Sequence, residues 1–194
     1  MTDKKEAILY KILRPIITVL FKFLFTPKII GKEKIPKEGR IVLAGNHTHI
    51  FDSLFLISCT KRCIHFLAKK ELWIGVKKIL FGNMGLIPVD RKNGDPKALE
   101  SAIEYLNDEK VIGIFPEGTT EKVKGKLLPF KRGAVTMAKE TNTKIIPFAI
   151  KGDYKLFSKN LTIIFGEELE VIGEIKPEIK RLEGVIDDLL RGDL

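Results

Sequence analysis

Cysteine is scarce in this sequence. Cys59 and Cys63 are the only two among 194 residues, and neither their number nor their spacing suits a disulfide scaffold, which favours a reducing cytosol. With His65 they form C-x3-C-x-H, a set lacking both a fourth ligand and a standard zinc spacing. No metal is expected, and these residues are assigned to core packing. The sequence also lacks internal repeats, low-complexity tracts and domain linkers.

A clean membrane span is missing as well. The most apolar stretch, Ala7 to Phe25, contains Lys11, Arg14, Lys22 and Pro15. A spanning helix needs about 20 predominantly apolar residues, and each cation at mid-bilayer costs about 2.5–3.5 kcal/mol on insertion scales. No small-residue cleavage site follows, only Phe25-Thr26-Pro27-Lys28, so a secretory signal is not expected.

What the sequence does have is basicity, with 34 Lys and Arg against 25 Asp and Glu for a formal charge of +9. Such an excess favours anionic partners: lipid headgroups, phosphorylated small molecules, an acidic protein or nucleic acid. No recognition motif supports nucleic acid, and the aromatic residues lie mostly in apolar runs rather than among cations. Lys4, Lys11, Arg14, Thr18 and Lys22 recur at helical spacing and draw one narrow polar stripe along an apolar rod. The pattern predicts an N-terminal segment over residues 1–30, a helix or two short helices meeting near Pro15, lying in the membrane interface. A helix packed on the domain core is the alternative; the width of the apolar surface favours the interface.

Beyond Gly31 short apolar runs alternate with helical stretches. The runs are Ile41–Ala44, Ile64–Leu67, Leu86–Val89, Val111–Phe115, Ile145–Ile150 and Leu161–Phe165. The helical stretches are Phe51–Cys59, Glu71–Phe81, Pro96–Asn107 and Lys131–Glu140, with Pro177–Leu190 closing the chain. This order predicts one α/β domain over residues 31–194, with a mixed, largely parallel central sheet flanked by helices. The connection Lys151-Gly152-Asp153-Tyr154 reads as a short turn, so the last two strands are expected to run antiparallel.

Ligands of an open α/β sheet gather beyond the carboxyl ends of its strands. Polar residues collect at several of these ends. Ile41–Ala44 is followed by Gly45-Asn46-His47-Thr48-His49-Ile50-Phe51-Asp52, which holds two of the three histidines. His47 in the turn can meet Asp52 in the first turn of the following helix, where the helix dipole favours an ionised carboxylate. Asp52 would then orient the imidazole and leave its other nitrogen as a base. No serine or cysteine is placed as a nucleophile, so the substrate would supply its own hydroxyl. Ile64–Leu67 ends in Lys69, Leu86–Val89 in Asp90-Arg91, and Val111–Phe115 in Pro116-Glu117-Gly118-Thr119-Thr120. Together these ends describe a polar site with a cationic side.

At these residues the chain resembles the glycerolipid acyltransferases, in particular bacterial 1-acyl-sn-glycerol-3-phosphate acyltransferases. NHTHIFD, AKKEL, GLIPVDR, FPEGTT and IIPFAI occur in that order over about residues 35–150. The resemblance implies that His47 is the general base and Asp52 its partner. It implies that Arg91, Glu117, Gly118 and Thr119 hold the acyl acceptor and that Lys69 binds its phosphate. The implied reaction moves an acyl group from acyl-CoA or acyl-carrier protein to a lysophosphatidic acid hydroxyl, without a covalent enzyme intermediate, cofactor or metal. It implies peripheral, monotopic work on the cytoplasmic face of the cell membrane. Two departures stand out: His49 replaces a frequent serine, and Thr120 replaces the arginine that often follows FPEGT. The second leaves another lysophospholipid acceptor open. A thioester hydrolase and a membrane-binding module without chemistry are the competing functions.

Overall fold

Strands of a parallel sheet must be covered on both faces, which is why uninterrupted apolar runs here alternate with amphipathic helices. The computed structural model describes residues 8–90, 95–120 and 126–192. Its elements are α1 (Ile8–Phe25), β1 (Lys28–Ile30), β2 (Ile41–Gly45), α2 (Asp52–Cys59), β3 (Ile64–Lys69), α3 (Val76–Asn83) and β4 (Ile87–Val89). They continue as α4 (Pro96–Asn107), β5 (Val111–Ile114), α5 (Gly133–Glu140), β6 (Ile145–Lys151), β7 (Thr162–Phe165) and α6 (Ile175–Arg191).

The strands form one seven-stranded sheet in the order β1-β7-β6-β2-β5-β3-β4. From β6 to β4 every pair is parallel; β7 runs antiparallel to β6, and β1 lies parallel to β7. This is the mixed, largely parallel, helix-flanked sheet that the alternation predicts, antiparallel β6–β7 pair included. The parallel run brings the carboxyl ends of β2, β3, β4 and β5 to one edge, and Ala44 pairs with Ile114 there.

Alternate side chains of each strand enter two cores. One face packs Ile41, Leu43, Ile146 and Phe148 under α1 and α2, with Tyr10, Phe21, Phe25 and Phe55. The other packs Val42, Ala44, Ile112 and Ile145 under α4, α5 and α6, with Leu106, Met137 and Ile186. Each large side chain fully buried in this way contributes about 1.5–3 kcal/mol.

Three details stand out against the expectation. First, of the two forms expected for α1, one helix or two meeting near Pro15, the structure has the single helix, with Pro15 inside it. Proline's fixed φ is helical, and its ring removes one hydrogen bond without forcing an end. Anchors on both sides hold the rod: Tyr10 donates to the carbonyl of Arg62 at 3.2 Å, Arg14 donates to that of Thr60 at 2.7 Å, and Phe21 stacks on Phe55 at 5.1 Å. Second, β1 lies inside the segment expected to stand apart and pairs with β7; three residues are too few to show a period. Third, β6 and β7 are joined by residues 152–161 rather than by a tight turn.

The two expectations for α1 turn out not to compete. Tyr10, Phe21 and Phe25 are buried against the domain, while Ile8, Ile12, Ile16, Val19, Leu20 and Phe23 are all more than half exposed. At 3.6 residues per turn the exposed apolar residues share one sector, and Lys11, Thr18 and Lys22 border it. One helix therefore has an apolar side toward the core and another toward the outside.

Candidate active site

The site begins where β2 runs out. A Cβ on Gly45 would sit 2.3 Å from the Phe148 ring, so only glycine lets the strand end pass this side chain. Asn46 is buried and extends the ladder with its side chain, donating to the carbonyl of Ile150 at 3.0 Å and accepting from its amide at 2.7 Å. His47 follows, its direction fixed by this clamp.

The imidazole of His47 meets Asp52, the first residue of α2, with Nδ1 2.8 Å from Oδ2. An ionised carboxylate only accepts, so Nδ1 carries the hydrogen and Nε2 is the basic nitrogen. Oδ2 of Asp52 also accepts from the amides of Thr48 at 2.5 Å and His49 at 2.8 Å. Oδ1 accepts from the Thr48 hydroxyl at 3.0 Å and from the phenol of Tyr154. Burial opposes the charge of Asp52, but the donors from His47, Tyr154, His49 and Thr48 outweigh it and hold the carboxyl below its ordinary range. Burial and then the Asp52 charge push the Tyr154 phenol up, so it stays a donor.

The ring of His47 stacks on Phe115 with centroids 4.1 Å apart. Phe115 follows β5, the neighbour of β2, and the Ala44–Ile114 register carries the two chains upward side by side. Glu117 thereby comes level with His47. Its Oε1 accepts from the His47 amide at 2.8 Å and its Oε2 from the Leu128 amide at 2.9 Å. Gly118 takes a left-handed φ of 73°, and a Cβ there would lie 3.0 Å from Nζ of Lys131. The lysine lies across this turn, where a side chain would displace it.

A cavity of about 470 Å³ opens beside Phe115 on the sheet face covered by α4 and α5. Leu67, Val89, Ile114 and Met137 give it apolar walls, and Asp90, Asp95, Lys131 and Arg132 add charge. His47 is not among its lining residues; Phe115 is, and it stacks on the imidazole.

The structure thus brings His47, Asp52, Glu117 and Gly118 together. Thr119 follows in the same turn, half-buried. Lys69 is exposed at the end of β3, opposite Val89. Arg91 lies outside the described residues. Sequence reasoning missed Tyr154, Asn46 and Phe115 as parts of the site. The only signal for Tyr154 was a polar aromatic residue soon after an apolar run that ends at this edge. The C-x3-C-x-H residues serve packing. Cys59 donates to the carbonyl of Phe55 at 3.2 Å, and burial pushes its thiol up to about 12. His65 donates to the carbonyl of Gly85 at 2.8 Å and stacks on Tyr105.

Comparison with known proteins agrees with this geometry. The family described as Acyltransferase matches residues 26–151. The 1-acyl-sn-glycerol-3-phosphate acyltransferase of Bacillus subtilis (strain 168) is 33% identical over 172 residues, 83% of this chain and 82% of that one. A protein of the same name from Borreliella burgdorferi is 34% identical over 158 residues, 80% of this chain and 62% of that one. Among solved structures, the 1-acyl-sn-glycerophosphate (LPA) acyltransferase PlsC of Thermotoga maritima shares the fold, with a TM-score of 0.75. The match covers 99% of this chain and 82% of that one at 24% identity. With its sheet, its paired histidine and aspartate, and these relatives, the chain belongs to the acyltransferase family.

Proposed function

We propose that this protein transfers a fatty acyl group from a thioester to the free hydroxyl of a 1-acyl-sn-glycerol 3-phosphate, giving phosphatidic acid. The observation that carries the reading is the buried pair of His47 Nδ1 and Asp52 Oδ2 at 2.8 Å, at the carboxyl end of β2. The names of the Bacillus and Borreliella relatives support the acceptor.

In this reaction Nε2 of His47 takes the proton of the acceptor hydroxyl as its oxygen attacks the thioester carbonyl. Asp52 keeps the ring in the right tautomer and stabilises the imidazolium that forms. The tetrahedral adduct collapses with cleavage of the carbon–sulfur bond, and the sulfur leaves as a thiol with the proton that His47 returns. Stacking on Phe115 restricts the ring to one plane during both transfers. Lys131 and Arg132, beside the Gly118 turn, supply positive charge suited to the acceptor phosphate, with Lys69 and Arg91 as further candidates.

Acyl-CoA or acyl-carrier protein serves as donor, and no cofactor takes part. The acceptor stays in the bilayer, so the enzyme works as a peripheral, monotopic protein on the cytoplasmic face of the membrane. Among the described residues no helix is long and apolar enough to cross a membrane. The exposed apolar sector of α1, bordered by Lys11 and Lys22, suits an anionic lipid surface instead.

The test supplies acyl thioester with and without lysophosphatidic acid and follows free thiol and lipid product. Diacyl product that depends on the acceptor is expected. Thiol release with free fatty acid and no diacyl lipid would make the protein a hydrolase, and neither product would make it a binding module.

A further inference from the structure

Asp52 makes more contacts than its own loop requires. The Thr48 and His49 amides and the Thr48 hydroxyl come from the turn just before it, and they already settle the carboxylate at the start of α2. The Tyr154 phenol arrives from 102 residues away and adds nothing to that turn. It shares the second oxygen, Oδ1, with the Thr48 hydroxyl and, coming from outside the loop, braces the plane in which Oδ2 meets Nδ1 of His47.

The segment that brings Tyr154 is tied to the N-terminal helix. The amide of Phe157 donates to the carbonyl of Leu24 at 2.7 Å, and the Phe157 ring meets Phe23 edge-on at 5.8 Å. The Tyr154 ring packs edge-on against Phe21 at 6.2 Å and Phe25 at 5.6 Å, and stacks on His49 at 4.8 Å. One side chain therefore touches both the buried face of α1 and the carboxylate that aims the base.

We propose that Tyr154 is a positioning residue for acyl transfer, fixing Asp52 through its hydroxyl and linking the His47–Asp52 pair to the seating of α1. The proposal rests on the reading of that pair as the base and its partner. A phenol donating to Oδ1 orients the carboxylate and draws off part of its charge. Removing the hydroxyl leaves Oδ2 a stronger but less well-directed acceptor for Nδ1–H.

Tyr154→Phe keeps the ring and its contacts while deleting only the donor. Its kcat is expected to fall about tenfold, the scale of one hydrogen bond to a charged group, with acceptor KM little changed. The imidazole Nδ1–H proton resonance, assigned by its loss in His47→Gln, is expected to move downfield. That signal is read without substrate, so a wild-type protein that forms no diacyl lipid would remove the acyl-transfer reading and leave this test standing. A Tyr154→Leu variant separates donor from ring. If Tyr154→Phe matches the wild type in kcat or in the resonance, and only Tyr154→Leu is impaired, Tyr154 is a packing residue and the proposal is overturned.

Discussion

The backbone amide of His47 donates to Oε1 of Glu117 at 2.8 Å, across the gap between the ends of β2 and β5. Glu117 holds the Leu128 amide with its other oxygen, so one buried carboxylate joins three separate pieces of backbone at the site. Glutamine would turn an NH2 toward one of those amides and leave it without an acceptor. Glu117→Gln is expected to lose about 1–3 kcal/mol of stability together with turnover, seen in urea melts run beside the assay. A rise in acceptor KM with unchanged melting would instead place Glu117 on the substrate.

Removing the base gives the plainest chemical outcome. His47→Ala is expected to lower turnover by about a hundredfold or more, in line with the loss of a positioned general base. Circular dichroism and liposome binding should be unaltered. Near-native turnover in this variant would exclude His47 as the base.

Asp52 makes stability depend on pH. Its carboxyl is held below the ordinary value of 3.8 in the folded protein, so the stabilisation is fully present above that value and fades as pH falls through the folded one. Asp52→Asn lacks this contribution. The gap in urea midpoint between wild type and variant is expected to be widest near neutrality and to shrink below about pH 4. A gap independent of pH would show that the carboxylate is not stabilised by its donors.

The outward sector of α1 gives a prediction about location. Ile16→Asp and Val19→Asp alter residues that are 58% and 71% exposed, so folding should be unaffected. Sedimentation with anionic liposomes should fall several-fold, since each charge opposes burial of the apolar face in lipid. Unchanged sedimentation would assign membrane contact to another surface.

Much of this was legible in the amino acids. Uninterrupted runs such as Ile145–Ile150 mark strands covered on both faces, and Pro96–Asn107 is bounded as expected because Asp95 caps it, accepting from Ala98 at 3.2 Å. His47 and Asp52 were readable because both lie in one loop. Tyr154 was not, because its link to Asp52 depends on how residues 152–161 fold back against α1. Glu117 offered a polar contact in sequence, but only the Ala44–Ile114 register reveals that its oxygens face backbone amides. The polar stripe on α1 gave the helix and its border, while the division of the remaining surface into inner and outer sides is a matter of docking.

That outer side, with Ile12, Ile16, Val19 and Phe23 in one row, also governs how the protein behaves in a test tube. Without lipid, the row has water or another copy of itself to face, and apolar area this contiguous favours the copy. Purification without detergent is therefore expected to yield concentration-dependent aggregates, which micelles should disperse into single chains.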